Sequence, residues 1–241
     1  MSIRSTLPRV FALSIAAATP LFADSVVLFD ENFDETPPYK NGGRLPIEPG
    51  DLQLGRWYSN ATAGNATSLV SQENFLSQPR SLALRVGSGT GEASAAGVFA
   101  ELPETVATDA PLRWRVSFCF EDLSFDTPPF FAVRDTEGKN IALVYIGDGG
   151  FLLPNNVDSG IKIEPRTWYT LEIVLPAQPA PNVKDTYSLN VSENGGEQIY
   201  SKALGFFGPS ASGKYAYATV NMKDQSNVLF LDDWRVTVGD N

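Results

Sequence analysis

Two arginines on one predicted strand are the side chains of this sequence best suited to bind an anion. Residues 112–121 alternate apolar and polar types without interruption, so Arg113 and Arg115 lie on the polar face of a half-buried strand. Side chains two residues apart on a strand are separated by roughly 6–7 Å, which is close to the length of one sugar ring. Guanidinium groups bind carboxylates and sulfates through paired hydrogen bonds. The spacing therefore indicates that successive acidic groups of a polysaccharide can each meet one arginine.

Two further predicted strands carry side chains of the same kind. Arg134 lies on the polar face of residues 130–134, and residues 214–222 place four polar side chains on one face: Tyr215, Tyr217, Thr219 and Asn221. Tyrosine rings suit the faces of sugars. If these strands share one sheet with residues 112–121, then Arg113, Arg115, Arg134 and Tyr217 line one groove. The alternative is that each arginine pairs with an acid on a neighbouring strand.

Asp232 lies within the last predicted strand, residues 228–238. A period of two places it on one face with Val228, Phe230, Trp234, Val236 and Val238, and places Asp233 on the other face. A carboxylate on an apolar face must be hydrogen-bonded, ion-paired or bound to a metal, because burial of a bare charge is very costly. Hydrogen bonds from backbone amides, or a bulge at Asp232, are therefore alternatives to a metal site.

Several kinds of catalytic site are excluded or disfavoured by composition. The chain contains no histidine, which removes Ser-His-Asp catalysis and zinc sites with histidine ligands. Its one cysteine, Cys119, can form no intrachain disulfide and is interpreted as a structural thiol. Acidic pairs that glycoside hydrolysis would need fall in predicted loops or at strand ends, around residues 101–104 and 121–126. No catalytic residue is assigned, and binding is favoured over catalysis.

The elements that position these side chains are all predicted to be strands. About eleven or twelve short apolar or alternating runs, separated by turn-forming residues, predict a sandwich or a barrel. Residues 35–66 are rich in proline and glycine and are predicted to be irregular. The first strand, residues 26–29, is expected to lie beside the last strand, because the termini of a domain are often neighbours.

Net charge and the N-terminal residues indicate which partners and which cellular location suit this protein. With 18 basic and 28 acidic residues among 241, the net charge of −10 is poorly suited to nucleic acid. Residues 1–23 combine two arginines, a short apolar run and a small residue at position 23, which predicts a cleaved signal peptide. The run is shorter than the roughly 20 residues a spanning helix needs. We therefore expect one exported domain, residues 24–241, that is extracellular or periplasmic and not inserted in a membrane.

The order of several short motifs resembles secreted concanavalin A-like sandwiches of the laminin-G and glucanase jelly-roll type. The motifs are Asn32-Phe33-Asp34, Gly55-Arg56-Trp57, Ser81-Leu82-Ala83-Leu84, Asp135 to Gly138, Trp168-Tyr169-Thr170-Leu171 and Asp232-Asp233. The resemblance implies an all-β fold, a two-sheet antiparallel jelly-roll sandwich, over residues 26 to 238.

The resemblance also implies a structural calcium ion between the first and last strands, held by Asp232 together with Asp30 or Glu31. Calcium requires six to eight oxygen ligands, which backbone carbonyls and water would complete. The catalytic motifs of the family are not matched. The Glu-x-Asp-x-x-Glu strand of its glucanases has only residues 121–126 as a counterpart, in the wrong order, and the Gln-x-His motif of its alginate lyases is absent.

The sequence thus favours an exported protein that binds a glycan, with acidic polysaccharide as the expected class. Two alternatives remain open at this point: a polysaccharide lyase or glycoside hydrolase with an unusual site, and a structural or adhesive surface protein without a sugar ligand. A groove in which arginine, tyrosine and a carboxylate converge would favour the enzyme.

Overall fold

The computed structural model covers most of the chain between residues 25 and 239. The described residues are 25–33, 57–59, 66–77, 80–86, 96–102, 110–177, 181–194, 196–223 and 227–239. Fourteen β-strands and one turn of 3-10 helix, Asp148–Gly150, lie in these ranges. Within the same ranges no helix is long and apolar enough to cross a membrane. The predicted signal peptide lies outside the described residues, and the single-domain organisation stays a prediction.

The strands form two antiparallel sheets, which confirms the jelly-roll sandwich. From one edge, the eight-stranded sheet contains β12 (Gln198–Gly205), β11 (Thr186–Glu193), β10 (Tyr169–Leu175), β6 (Leu112–Phe120), β14 (Val228–Val238), β4 (Ser81–Val86) and β3 (Ala66–Ser71), and β1 (Val26–Glu31) also pairs with β14. The six-stranded sheet contains β2 (Trp57–Ser59), β5 (Ala96–Glu101), β13 (Tyr215–Met222), β7 (Phe130–Asp135), β8 (Asn140–Ile146) and β9 (Leu152–Pro154).

The alternation that predicts β6 is also what builds the core. Leu112, Trp114, Val116, Phe118 and Phe120 are all buried in one hydrophobic cluster that contains residues of both sheets. The ring centroids of Phe118 and Phe131, which lie on different sheets, are 4.8 Å apart. The apolar face of β6 therefore packs across the sandwich, as its pattern predicts, and the arginines of β6 lie on the outer side.

The first strand pairs with the last, which confirms the predicted neighbourhood of the two termini of the fold. Val26 is opposite Val238 and Asp30 is opposite Arg235 in an antiparallel register. Strand β4 pairs with residues 228–231 of β14, ahead of the stretch that pairs with β1. A single long strand thus holds β1 and β4 on one edge and β6 on the other.

The predicted faces of the last strand are wrong over half its length, because β14 contains a β-bulge. Two residues lie between Asp232 and Arg235, whereas only one lies between their partners Ser117 and Arg115 on β6. Asp233, the extra residue, has a φ of 44°. Such a bulge reverses the alternation. Leu229 and Leu231 before it, and Trp234, Val236 and Val238 after it, therefore all reach the same core.

One end of the outer face of the eight-stranded sheet is covered by the segment that follows β3. Ala83, Cys119, Trp168, Val228 and Phe230 form a second buried cluster there, with Leu76 packed against it. Asn74 fixes this segment, because its Nδ2 donates to Cys119 Sγ (3.3 Å) and its Oδ1 accepts from Trp168 Nε1 (3.1 Å). Burial raises the pKa of the Cys119 thiol to about 11, which fits the predicted structural thiol.

Three strands are not predicted by the sequence patterns: β2, β3 and β9. Two of them are only three residues long, and β2 lies inside the range predicted to be irregular. Residues 130–134 and 141–146 flank a glycine-containing turn, a pattern that predicts a hairpin, and the pairing of β7 with β8 confirms it. Its turn is held by Asp135, whose Oδ1 accepts hydrogen bonds from the backbone N–H groups of Glu137 (3.0 Å) and Lys139 (2.9 Å).

Candidate functional site

The four side chains predicted to line one groove lie on two different sheets. Arg113 and Arg115 belong to β6 in the eight-stranded sheet, whereas Arg134 and Tyr217 belong to β7 and β13 in the six-stranded sheet. The prediction of a single groove is therefore wrong. Alternation places these four side chains on outer faces correctly, but it does not tell which of two sheets a strand joins. Arg134 and Tyr217 are direct cross-strand partners.

Arg134 is held on the outer face of the six-stranded sheet by two aromatic rings. Its Cζ atom lies 5.7 Å from the ring centroid of Phe99 and 5.5 Å from that of Phe130. Its Nε donates a 2.8 Å hydrogen bond to Asn140 Oδ1. Cation–π contacts of this kind orient a guanidinium without neutralising its charge. The group is half-buried on this face.

Two buried polar atoms lie on the same face of β13. Thr219 pairs with Phe99 on one side and Ala132 on the other, and Asn221 pairs with Gly97 and Phe130. Thr219 is fully buried and Asn221 is 6% exposed, yet Thr219 Oγ1 and Asn221 Oδ1 have no hydrogen-bond partner in the part of the chain that the structure describes. Buried polar atoms are nearly always satisfied in folded proteins. A ligand hydroxyl would reach them only after the side chains that cover them move aside.

A row of three side chains crosses the sheet beside these atoms. Glu101 on β5, Tyr217 on β13 and Arg134 on β7 are consecutive cross-strand partners, and all three are half-buried. On the far side of β7, Phe130 meets Tyr145 of β8 edge to face, with centroids 5.8 Å apart. We call the surface formed by Phe99, Phe130, Arg134, Tyr145 and Tyr217 the aromatic face.

The aromatic face is only partly foreseen in the sequence. Tyr217, Thr219 and Asn221 share one side of β13 as the pattern predicts, but Tyr215 does not. A bulge between Tyr215 and Tyr217 turns Tyr215 into the core, where its hydroxyl donates to the carbonyl of Pro176 (3.1 Å). Phe99 is missed because single aromatic residues in strands are ordinary core residues, and only the pairing of β5 with β13 brings it to Arg134.

Asp232 is fully buried and its carboxylate is surrounded by donors. Oδ2 accepts from the backbone N–H groups of Leu76 (3.0 Å) and Ser77 (2.9 Å), and Oδ1 accepts from the backbone N–H of Asp233 (2.8 Å). The Ser77 hydroxyl lies 3.1 and 3.2 Å from the two oxygens. Backbone hydrogen bonds and a bulge are the alternatives that the sequence left open for this carboxylate, and both occur here.

The other two residues of the predicted calcium site are engaged elsewhere. Glu31 Oε1 accepts from the backbone N–H of Phe33 (2.7 Å), and Asp30 Oδ2 lies 3.9 Å from Arg235 Nε. Among the described residues no group of three or more acidic, cysteine or histidine side chains is arranged to hold a metal ion. Calcium at Asp232 stays a prediction. To bind there, a cation would have to displace the backbone N–H groups that donate to the carboxylate.

A melting experiment tests the calcium prediction directly. If Asp232 holds calcium, adding the ion should raise the melting temperature by mass action, and Asp232→Ala should abolish that rise. Asp30→Ala and Glu31→Ala should each weaken the response. A wild-type melting curve that is unchanged by EDTA and by added calcium would contradict calcium binding at Asp232.

The stability of the protein is expected to depend on pH through Asp232. Burial raises the pKa of this carboxyl from 3.8 to about 6, against the opposing effect of its backbone hydrogen bonds. Between these two values the folded state binds the proton more tightly, so this group's contribution to the free energy of unfolding falls as pH rises, by at most about 1.4 kcal/mol per pH unit. When the free energy of unfolding is plotted against pH, the wild-type curve should therefore fall relative to that of Asp232→Asn between pH 4 and 6 and run parallel to it above pH 7. Curves that are parallel over the whole range would contradict the raised pKa.

Comparisons with known proteins give the fold and no family. No family model matches the sequence, and no curated protein matches it. Among solved structures, a marine PL-14 alginate lyase from Aplysia kurodai superposes with a TM-score of 0.51 at 8% identity, over 88% of this chain and 98% of that one. An endo-beta-1,4-glucuronan lyase from the fungus Trichoderma reesei gives 0.52 at 7% identity, over 90% and 96%. This chain is thus similar to these two lyases in its β-sandwich fold, over nearly their whole lengths.

Proposed function

We propose that this protein binds an acidic polysaccharide on the aromatic face. The observation that carries the proposal is the Arg134 guanidinium, held between the rings of Phe99 and Phe130 next to Tyr217. Export across a membrane, expected from the predicted signal peptide, is part of the same proposal, because polysaccharides of this kind lie outside cells.

The chemistry of the face matches a chain of uronic acids. A guanidinium binds a carboxylate through charge-assisted hydrogen bonds, and its orientation by two rings lowers the entropy lost on binding. Half-buried tyrosine rings, such as those of Tyr145 and Tyr217, suit the apolar faces of sugars. The hydroxyl of half-buried Tyr217 can donate and accept hydrogen bonds with sugar hydroxyls, and Thr219 Oγ1 and Asn221 Oδ1 could join it once uncovered. One face thus offers a partner for each part of an acidic sugar.

The similar folds support the same ligand class. The two similar structures are named for action on alginate and on glucuronan, both of which are polymers of uronic acids. Their low identity to this chain transfers no residue, so the argument for binding rests on the aromatic face itself.

Arg134→Ala is expected to weaken binding of alginate or glucuronan oligosaccharides by about tenfold or more, since a hydrogen bond to a charged group contributes about 1.5–3 kcal/mol. Calorimetric titration at two salt concentrations measures this effect, and the wild-type affinity should fall as salt rises. Lys139→Ala is a matched control: it removes one positive charge from the adjoining turn, where Lys139 pairs with Glu137 at 3.0 Å.

Tyr217→Phe provides a second variant in case Arg134→Ala lowers stability, because it keeps the ring and removes only the hydroxyl. Its affinity should fall by less than that of Arg134→Ala at an unchanged melting temperature. Wild-type protein that binds only neutral glucans, or that binds nothing, would overturn the proposal and favour a structural protein without a sugar ligand.

A lyase is the second candidate function, favoured by the row of Glu101, Tyr217 and Arg134. In β-elimination a base removes the proton beside the sugar carboxylate, the glycosidic C–O bond breaks, and the departing oxygen receives a proton, leaving a C=C bond. Arg134 is placed to neutralise the carboxylate, and Tyr217 is placed to exchange the proton. Ultraviolet absorbance of unsaturated ends, formed by wild type and lost in Tyr217→Phe, would establish this activity; intact polymer after prolonged incubation would leave binding alone.

A further inference from the structure

The outer face of the eight-stranded sheet carries a continuous polar row at the end that the segment after β3 leaves uncovered. Six side chains from neighbouring strands follow one another in register: Asp30, Arg235, Arg115, Glu172, Asn190 and Ser201. This row lies on the opposite side of the sandwich from the aromatic face. Neither the proposed binding site nor the hydrophobic core includes these side chains.

Most members of the row neutralise one another. Glu172 accepts from Arg113 Nη1 through one oxygen (2.9 Å) and from Asn190 Nδ2 through the other (2.9 Å). The Ser201 hydroxyl donates to Asn190 Oδ1 (2.8 Å), and Arg235 lies 3.9 Å from Asp30. The alternative interpretation of the arginines, pairing with an acid of the neighbouring strand, is thus confirmed for Arg113.

Arg115 is the exception in this row. It is exposed at the centre of the row, between Glu172 and Arg235 in the sheet, and no described residue forms a hydrogen bond or ion pair with it. The Arg115 guanidinium therefore has its donors available for an external partner.

A cleft on one side of Arg115 converges on unpaired donors. It measures about 210 Å³ and is lined by Arg113, Arg115, Glu172, Arg235 and Thr237. Thr237 is only 3% exposed, and among the described residues neither its Oγ1 nor the buried Arg113 Nε has a hydrogen-bond partner. The lining thus offers three guanidinium groups and one hydroxyl, beside a carboxylate that is already hydrogen-bonded to Arg113 and Asn190. Such a lining suits a carboxylate or a sulfate.

A second cleft on the other side of Arg115 has a different lining. It also measures about 210 Å³, shares Arg115 and Glu172 with the first, and adds Thr170, Asn190, Ser192 and Gln198. Hydroxyl and amide side chains of this kind pair with sugar hydroxyls rather than with an isolated anion. Two adjoining clefts joined by one free guanidinium suit consecutive units of an acidic glycan better than a free inorganic ion.

We infer that this face is a second binding site for acidic polysaccharide, with Arg115 holding the carboxylate in the first cleft and the neighbouring sugar lying in the second. The inference takes its ligand class from the proposed function. It adds that the protein is bivalent: the two sites lie on opposite outer faces of the sandwich, so one molecule links two polysaccharide chains, and avidity raises its attachment to a polymer network.

Calorimetric titration of uronic acid oligosaccharides into the full chain tests this inference. Wild type should bind two oligosaccharides. Arg115→Ala and Thr237→Val should each abolish binding at one of the two sites or weaken it by about tenfold. The double variant Arg115→Ala with Arg134→Ala should bind none. Lys202→Ala, an exposed charge on β12 outside both clefts, is the matched control. Light scattering of alginate polymer should rise with wild type and not with Arg115→Ala.

The outcomes separate this inference from the proposed function. Binding that Arg134→Ala abolishes and Arg115→Ala leaves unchanged would overturn the second site and keep the first. One site that Arg115→Ala removes and Arg134→Ala leaves intact would keep this face and overturn the aromatic face, and with it the claim of two sites. Inorganic sulfate that binds as tightly as the oligosaccharide would show a simple anion site and overturn the glycan assignment.

Discussion

Replacing Asp232 with alanine is expected to lower the free energy of unfolding by about 3 kcal/mol or more. The carboxylate is fully buried and accepts hydrogen bonds from three backbone N–H groups, those of Leu76, Ser77 and Asp233. A buried donor left without a partner costs about 1–3 kcal/mol. The loss should also free the segment that covers Cys119 and Phe230, because Asp232 connects that segment to the sheet.

Urea unfolding followed by tryptophan fluorescence measures this loss as a lower midpoint. Asp232→Asn keeps one carbonyl oxygen as an acceptor and should lose less stability than Asp232→Ala. Asp30→Ala removes a carboxylate that is 64% exposed, and should change the free energy by no more than about 0.5 kcal/mol. An Asp232→Ala variant as stable as Asp30→Ala would show that the hydrogen bonds around the bulge contribute little.

Replacing Trp114 with alanine is expected to have a comparable effect, a loss of about 3–5 kcal/mol. Trp114 and Trp234 are both fully buried, and their ring centroids lie 5.1 Å apart at an interplanar angle of 40°. They lie on β6 and β14, the central strands of the eight-stranded sheet. A cavity between them removes contacts from both strands at once, and the surrounding backbone is held in sheet hydrogen bonds and relaxes little.

The adjacent residue supplies the control for this prediction. Arg115 follows Trp114 on the same strand but is exposed, so Arg115→Ala should leave the unfolding midpoint nearly unchanged. The slope of free energy against denaturant should stay the same in both variants if only the native state is affected. A small loss in Trp114→Ala, together with an unchanged fluorescence spectrum for Trp234, would contradict the proposed packing of the pair.

The parts of the fold that follow from local patterning are predicted well. The alternation of β6 gives the correct buried side chains, the turn at Asp135 gives the hairpin, and β1 lies beside β14 as expected. Each of these depends on residues close in sequence or on the apolar character of a whole strand. Such patterns predict the fold well because burial of a continuous apolar face is the largest favourable contribution to the folding free energy of a strand.

The failures have a common physical origin in bulges and in sheet membership. A single extra residue reverses the faces of β14 after Asp232, and another turns Tyr215 into the core. A period of two detects no such insertion, since either alternation is locally acceptable. Whether a strand joins one sheet or the other is decided by long-range pairing, so the sequence groups Arg113 with Arg134 although the sandwich separates them.

The outward positions of the candidate residues are predictable, whereas their grouping on one face is not. Arginine and tyrosine at alternate strand positions are expected on the polar side, and Arg113, Arg115, Arg134 and Tyr217 all lie on outer faces of the sandwich. Phe99, Thr219 and Asn221 become part of the site only through the register of β5, β13 and β7. Their relevance comes from unpaired buried atoms and from ring positions, which no single strand displays.

The most direct test of acidic glycan binding on the aromatic face is to follow backbone amide signals by nuclear magnetic resonance while a uronic acid oligosaccharide is added. We predict saturable shifts concentrated on β7 and β13, at Arg134, Tyr217, Thr219 and Asn221, with a weaker response when salt is raised. Shifts that are absent from these strands, or that a neutral glucan oligosaccharide reproduces equally, would contradict the claim.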